Sequence, residues 1–314
     1  HMGGDASGVD LTDIVDMNCG YFGCVALKTD GTGVAWGSVD ASGVDLTNVA
    51  RIGCGGWACF THRLDGTAAT WGDARYGGDD SGVDLTNVAD ICCGHQFCLA
   101  RKTDGTAEAW GGAGSGGAAS ATHGSGASSV DMTNVAAITC GNDVGGIRKT
   151  DGSAVFWGKS DLGADTSSVD SFLTSDIAYI SAGWHAQVAL KTDNTAIAWP
   201  GTYDSTGVDL TNIADISCGS ATSSQLACVA RRFDGSAVAW GNSDHGGDAS
   251  GVDLAGGAPW PAPPSLPPPT VCPTGQYLSS GSCEQCTLAA AGFYYTGDGG
   301  SANACPMAAC ADLP

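Results

Sequence analysis

The chain has 314 residues, enough for one large domain and a small one with a buried core. Its net charge of −21, with only 12 Lys and Arg, excludes nucleic acid and anionic membrane surfaces as main partners, because both need clustered positive charge. Gly supplies 49 residues and only Glu108 and Glu284 of the 33 acidic residues are Glu, so turn-forming Gly and Asp dominate and an all-β fold is expected.

No apolar run reaches the ~18 residues of a membrane-spanning helix. His1-Met2 reads as a cloning remnant, so the lack of a leader carries no information about secretion. The stretch GGDASGVDL at residues 3–11 returns at 246–254, and between the two copies lie six repeats. Each repeat ends in Asp-Gly followed by Trp-Gly, with the tryptophans at 36, 71, 110, 157, 199 and 240. The fifth repeat is degenerate, with Asp193-Asn194 and Trp199-Pro200 in those places. Length varies between Trp-Gly and the next VDLTN-like segment, as in the Gly/Ser/Ala-rich 111–129, so loops absorb it.

Within a repeat, CVALKTDGTGVAWG (24–37) reads as a β-hairpin. A two-residue type I′ turn at Asp30-Gly31 would set Leu27 opposite Val34, Ala26 opposite Ala35 and Val25 opposite Trp36. A preceding segment such as IADISCG (213–219) supplies another strand, and GVDLT is expected to be the outermost. Strands apolar on both faces are buried on both sides. Radial blades and a linear solenoid both fit this pattern, and the shared phase of the two ends favours a ring closed by both termini. The expectation is a β-propeller over 1–257 with six countable blades, six or seven in the ring.

VALKTDGTGVAWG (25–37) and SAGWHAQVALKTDNTAIAW (181–199) resemble the regulator of chromosome condensation family of β-propeller repeats, over residues 9–254. The histidine position of that family holds Gly23, Ala58, Phe97, Val144, Ala186 and Ala227, and its Gln-Leu-Gly tail becomes Gly-Gly-Asp. The resemblance implies the fold; chromatin binding and nucleotide exchange do not transfer, because no residue set for either is matched.

Two series recur once per repeat. Lys28, Arg63, Lys102, Lys149, Lys191 and Arg232 stand at the hairpin tip, with Arg101, Arg148 and Arg231 beside three of them. They form either a binding rim for an anion or a partner, or a set of ion pairs with neighbouring Asp. Asp10, Asp45, Asp84, Asp131, Asp170, Asp209 and Asp253 each follow Val, as turn caps or as weak candidates for Ca²⁺. No other cofactor is expected.

Cysteines flank tight connections at Cys19/Cys24, Cys54/Cys59, Cys93/Cys98 and, around an insertion, Cys218/Cys228. In the fifth repeat both partners are lost together, as Ala182 and Gln187, which is the pattern of a disulfide. A further Cys92–Cys140 bridge between blades would use the two left over. Zinc is disfavoured, since each repeat offers only two ligands. Such bridges place the chain in an oxidising compartment, outside the cell or on its surface.

Residues 258–271, APWPAPPSLPPPTV, read as an extended proline-rich linker resembling those of extracellular glycoproteins, where hydroxyproline carries glycans. Residues 272–314 resemble the cysteine-rich modules of ephrin-receptor and tumour necrosis factor receptor type, with Cys272, Cys283, Cys286, Cys305 and Cys310 left in open pairing and the module truncated.

No nucleophile elbow, Walker loop, dinucleotide motif or zinc-protease motif occurs, and the six histidines are scattered. The functional expectation is a non-enzymatic, extracellular structural and interaction module that displays propeller loops to a protein or glycan. The alternatives are a lectin-like or Ca²⁺-dependent module, and a hydrolase in the channel, which a His/Asp pair there would favour.

Overall fold

The computed structural model describes residues 5–39, 41–112, 130–199, 205, 207–219 and 227–248, together with the strands Gln276–Ser279 and Ser282–Gln285. The chain divides into two compact units, His1–Trp260 and Pro261–Pro314. The expectations for the linker and for the receptor-type module lie outside the described residues, apart from those two antiparallel strands, in which Cys283 pairs with Leu278.

The first unit holds six antiparallel three-stranded sheets. Blade 1 is β1 (Ile14–Cys19), β2 (Gly23–Lys28) and β3 (Gly33–Gly37), in that order. Blades 2 to 6 repeat it over residues 49–72, 88–111, 135–158, 177–199 and 213–241. No α-helix occurs among the described residues, only short 3-10 turns such as Ala74–Tyr76 and Ser160–Leu162.

The Asp-Gly turn differs from the sequence expectation. Lys28 N–H donates to the Thr32 carbonyl at 2.8 Å and Gly31 N–H to the Lys28 carbonyl at 3.0 Å, so three residues form the loop. Only Gly31 has positive φ, at 80°. The Asp30 carboxylate accepts from both the N–H and the hydroxyl of Thr32, at 2.9 and 2.7 Å, and this local bonding selects a type I turn with a glycine bulge over type I′. The register moves by one: Leu27 faces Gly33, Ala26 faces Val34, Val25 faces Ala35 and Cys24 faces Trp36. Each apolar pair therefore joins a large side chain to a smaller one, and neither face is purely Ala. In the fifth repeat Asn194 takes the glycine's place at φ 67°, a conformation Asn tolerates.

Among the described residues the GVDLT segments are not strands, contrary to expectation. Those that follow blades 1 to 5 each bond the third strand of that blade once through the backbone, as when Gly33 N–H donates to the Leu46 carbonyl at 2.8 Å. The Asp or Asn that follows is in left-handed backbone in every repeat: Asp13, Asn48, Asn87, Asn134, Asp176 and Asn212. That kink turns the chain from the outer edge of one blade into the innermost strand of the next.

Five core clusters fill the five seams between consecutive blades. The Trp-Gly tryptophans anchor some of them through the indole N–H: Trp110 donates to the Gly77 carbonyl and Trp199 to the Gly163 carbonyl, each in the turn after the preceding blade. No core cluster among the described residues joins blade 6 to blade 1. Met17 is 58% exposed, whereas its equivalents Ile52 and Ile91 are buried, and Val229 is 45% exposed where Val25, Phe60, Leu99 and Val188 are buried. Among the described residues all three strands of blade 6 come from 213–241 and the N-terminal segment adds none, contrary to expectation.

Candidate functional site

The first strands carry their cysteines to one end of the common axis. Cys19–Cys24, Cys54–Cys59, Cys93–Cys98 and Cys218–Cys228 bridge first and second strands of their own blades, and Cys92–Cys140 joins blade 3 to blade 4. The Asp-Gly tips lie at the other ends of the same strands, so the two faces of the first unit differ in chemistry.

On the Asp-Gly face the two candidate series meet each other. Lys28 pairs with Asp10, Arg63 with Asp45 at 3.9 Å, Lys102 with Asp84, Lys149 with Asp131 at 2.9 Å and Arg232 with Asp209 at 3.6 Å. Lys191 instead lies over the Phe172 ring at 4.7 Å, and Asp170 accepts from the Thr166 hydroxyl. Asp253 lies outside the described residues. The second oxygen of the five paired Asp residues accepts from the Thr two residues on, as Asp131 does from Thr133 at 3.0 and 2.7 Å. These bonds, to Lys102 and Lys149 first and to the threonines next, lower Asp84 and Asp131 to about 2; Asp10 is lowered further by Lys28. Among the described residues no three His, Cys, Asp or Glu side chains converge on a metal position.

On the cysteine face, a glycine follows the first strand of each of blades 1 to 5: Gly20, Gly55, Gly94, Gly141 and Gly183. An added Cβ at Gly20 would come within 1.8 Å of the Gly55 carbonyl, and one at Gly55 within 1.9 Å of the Gly94 carbonyl. The glycines therefore pack backbone to backbone around the axis, and they border a cavity of about 380 Å³.

The residues just beyond these glycines break the repeat. They are Tyr21, Gly56, His95, Asn142 and Trp184, followed by Phe22, Trp57, Gln96, Asp143 and His185. Tyr21 of blade 1 meets His95 of blade 3 at 5.5 Å between ring centroids and Trp184 of blade 5 at 5.2 Å, nearly perpendicular to both. Alternate blades thus each send one ring to the axis. Phe22, Trp57 and Tyr76 continue the aromatic row outwards, with centroids 4.1 and 5.4 Å apart. Tyr21 and Trp184 remain 39% and 37% exposed.

Beside the rings, Trp57 N–H donates to His95 Nε2 at 3.2 Å, which puts the imidazole proton on Nδ1, 3.5 Å from Asp143 Oδ1. Asp143 is buried and its Oδ2 accepts from Lys159 Nζ at 3.1 Å. Asn142 Oδ1 and Asp143 Oδ1 are buried without a hydrogen-bond partner. Burial raises the Tyr21 phenol above its usual value and lowers His185 below the ordinary histidine range.

None of these axial residues stood out in the sequence except as scattered histidines. The available signal was the one stretch at which six similar repeats stop resembling one another.

No family model matches the sequence, and no curated protein does. Solved structures do. Human WBSCR16 aligns with a TM-score of 0.50 at 15% identity, over 74% of this chain and 78% of that one. The fold is a β-propeller. The propeller is also similar to Prp20p from Saccharomyces cerevisiae, whose structure is described with its binding to Gsp1p and histones, at 17% identity and TM-score 0.49 over 74% of this chain and 72% of that one. The ectodomain of the Physcomitrella patens receptor kinase CR4 aligns at 16% identity and TM-score 0.47, over 73% of this chain and 62% of that one.

Proposed function

We propose that the chain is an extracellular binding module whose partner, a macromolecule, docks on the cysteine face of the propeller. The observation that carries this reading is the aromatic row ending at Tyr21 and Trp184, large rings left partly exposed at the axial turns, whereas the Trp-Gly tryptophans from Trp71 to Trp240 are buried. Half-exposed aromatics on a rigid frame are the usual anchors of interfaces. The Asp-Gly face is less suited, because its basic residues are already occupied by Asp or by Phe172. Five disulfides among the described residues support an oxidising compartment.

The channel does hold a His/Asp pair, the feature that would favour a hydrolase. Its geometry argues for a supporting role, since Trp57 occupies His95 Nε2, the atom a general base must present to substrate. The cysteines bordering the cavity, Cys19, Cys54, Cys93 and Cys140, are all bridged and offer no thiol.

The test is retention of the immobilised chain on extracellular matrix from its source tissue. Replacing Tyr21 and Trp184 by Ala is expected to weaken retention about tenfold or more. Lys28→Ala and Lys102→Ala should leave it unchanged, and the reverse pattern would move the binding surface to the Asp-Gly face.

A further inference from the structure

We infer that the axial mouth on the cysteine face is a site for a neutral carbohydrate, whose ring stacks on Trp184 or Tyr21 and whose hydroxyls bond Asn142. This rests on the assignment of that face as the binding surface and adds the chemical class of its ligand.

Four observations converge. The near-perpendicular contact of Tyr21 with Trp184, 81° at 5.2 Å, makes a corner of two half-exposed rings: a platform with a wall. The C–H face of a pyranose carries partial positive charge and meets the negative face of such a platform. In the wall of the same cavity, Asn142 Oδ1 is a buried acceptor with no donor. An unmet buried acceptor is costly, and a ligand rich in O–H groups relieves it.

Charge decides between ligand classes. Asp143 is the buried carboxylate behind His95; Lys159 bonds one of its oxygens at 3.1 Å, and His95 Nδ1 lies 3.5 Å from the other without a hydrogen bond. The pair Asp143–Lys159 leaves no net charge to select a cationic side chain, despite the strongly acidic body, and none to select an anion. The volume, about 380 Å³, falls within the roughly 300–1,000 Å³ of small-ligand sites. The axial glycines and Gly56 keep it open: a Cβ at Gly56 would come within 2.3 Å of the His95 ring.

The experiment titrates the intact chain with short neutral oligosaccharides of glucose, mannose, galactose and xylose, read by calorimetry and tryptophan fluorescence. An arginine-rich peptide and an acidic oligosaccharide serve as comparison probes. At least one neutral series is expected to bind saturably. Trp184→Ala should weaken it about tenfold or more, Trp184→Phe about threefold or less, and Lys102→Ala not at all, with the thermal transition unchanged because Trp184 is partly exposed. Neutral binding untouched by both Trp184→Ala and Tyr21→Ala would overturn the site. Binding of only the arginine-rich peptide, lost in Trp184→Ala, would overturn the carbohydrate class, and binding of only the acidic oligosaccharide would overturn its neutrality, either result keeping the cysteine face as the binding surface. If no neutral probe binds, the carbohydrate class falls; if matrix retention also ignores Trp184, the face assignment falls with it.

Discussion

Gly55 shows how a single missing atom shapes the propeller. Its neighbours are backbone, the Gly94 carbonyl and Cys93, and backbone cannot swing away as a flexible side chain can. Gly55→Ala is expected to cost about 3 kcal/mol, measured by chemical denaturation, whereas Gly43→Ala meets nothing within 4 Å and loses only what its φ of 89° imposes. The acidic residues make a second prediction at this scale. Asp84 and Asp131 are held at about 2 in the folded chain, below the roughly 4 of a free Asp. A lowered carboxylate stabilises the fold above its unfolded pKa and loses that contribution as pH falls through the folded value. The melting temperature should therefore drop between about pH 4 and pH 2, and Asp84→Asn with Asp131→Asn should flatten that slope. An unaltered slope would show that these exposed pairs contribute nothing measurable.

Among the elements, the bridges differ in what they restrain. Cys19–Cys24 closes a five-residue separation within one hairpin, while Cys92–Cys140 spans 48 residues and ties two blades. On chain entropy the long loop is worth about 4 kcal/mol and the short one about 2. Replacing Cys92 and Cys140 by Ser should accordingly lower stability more than replacing Cys19 and Cys24, in paired denaturation curves. The hairpin tip offers a milder test: Asn194→Gly removes the one side chain at the left-handed turn position and should stabilise by about 0.5 kcal/mol. Periodicity located both hairpin strands but misplaced their register. Period two reveals which residues alternate, while the pairing depends on the turn, and there a carboxylate–threonine contact outweighed the Asp-Gly preference.

At the scale of the molecule, stability is distributed along five filled seams and thins at the two end blades. With Met17 and Val229 exposed where their counterparts are buried, blades 1 and 6 should exchange amide hydrogens first and the second strands of blades 2 to 5 last. Equal protection in all six blades would mean that the end faces are covered in solution.

The division between what the chain spells out and what folding adds follows from the range of the forces involved. Repeat length, the three core strands of each blade, turn positions and the partners Cys19–Cys24 to Cys218–Cys228 were legible in order along the chain, because each depends on residues a few positions apart; the expected outer GVDLT strand was not formed. The meeting of Tyr21, His95 and Trp184 was not legible, for they lie some 74 and 89 positions apart and converge only because six blades share one axis. The same long-range geometry set Lys102 against Asp84 and left Asn142 with an unmet acceptor in the cavity the rings border. Short-range preferences made the blades; their packing about a common line made the site.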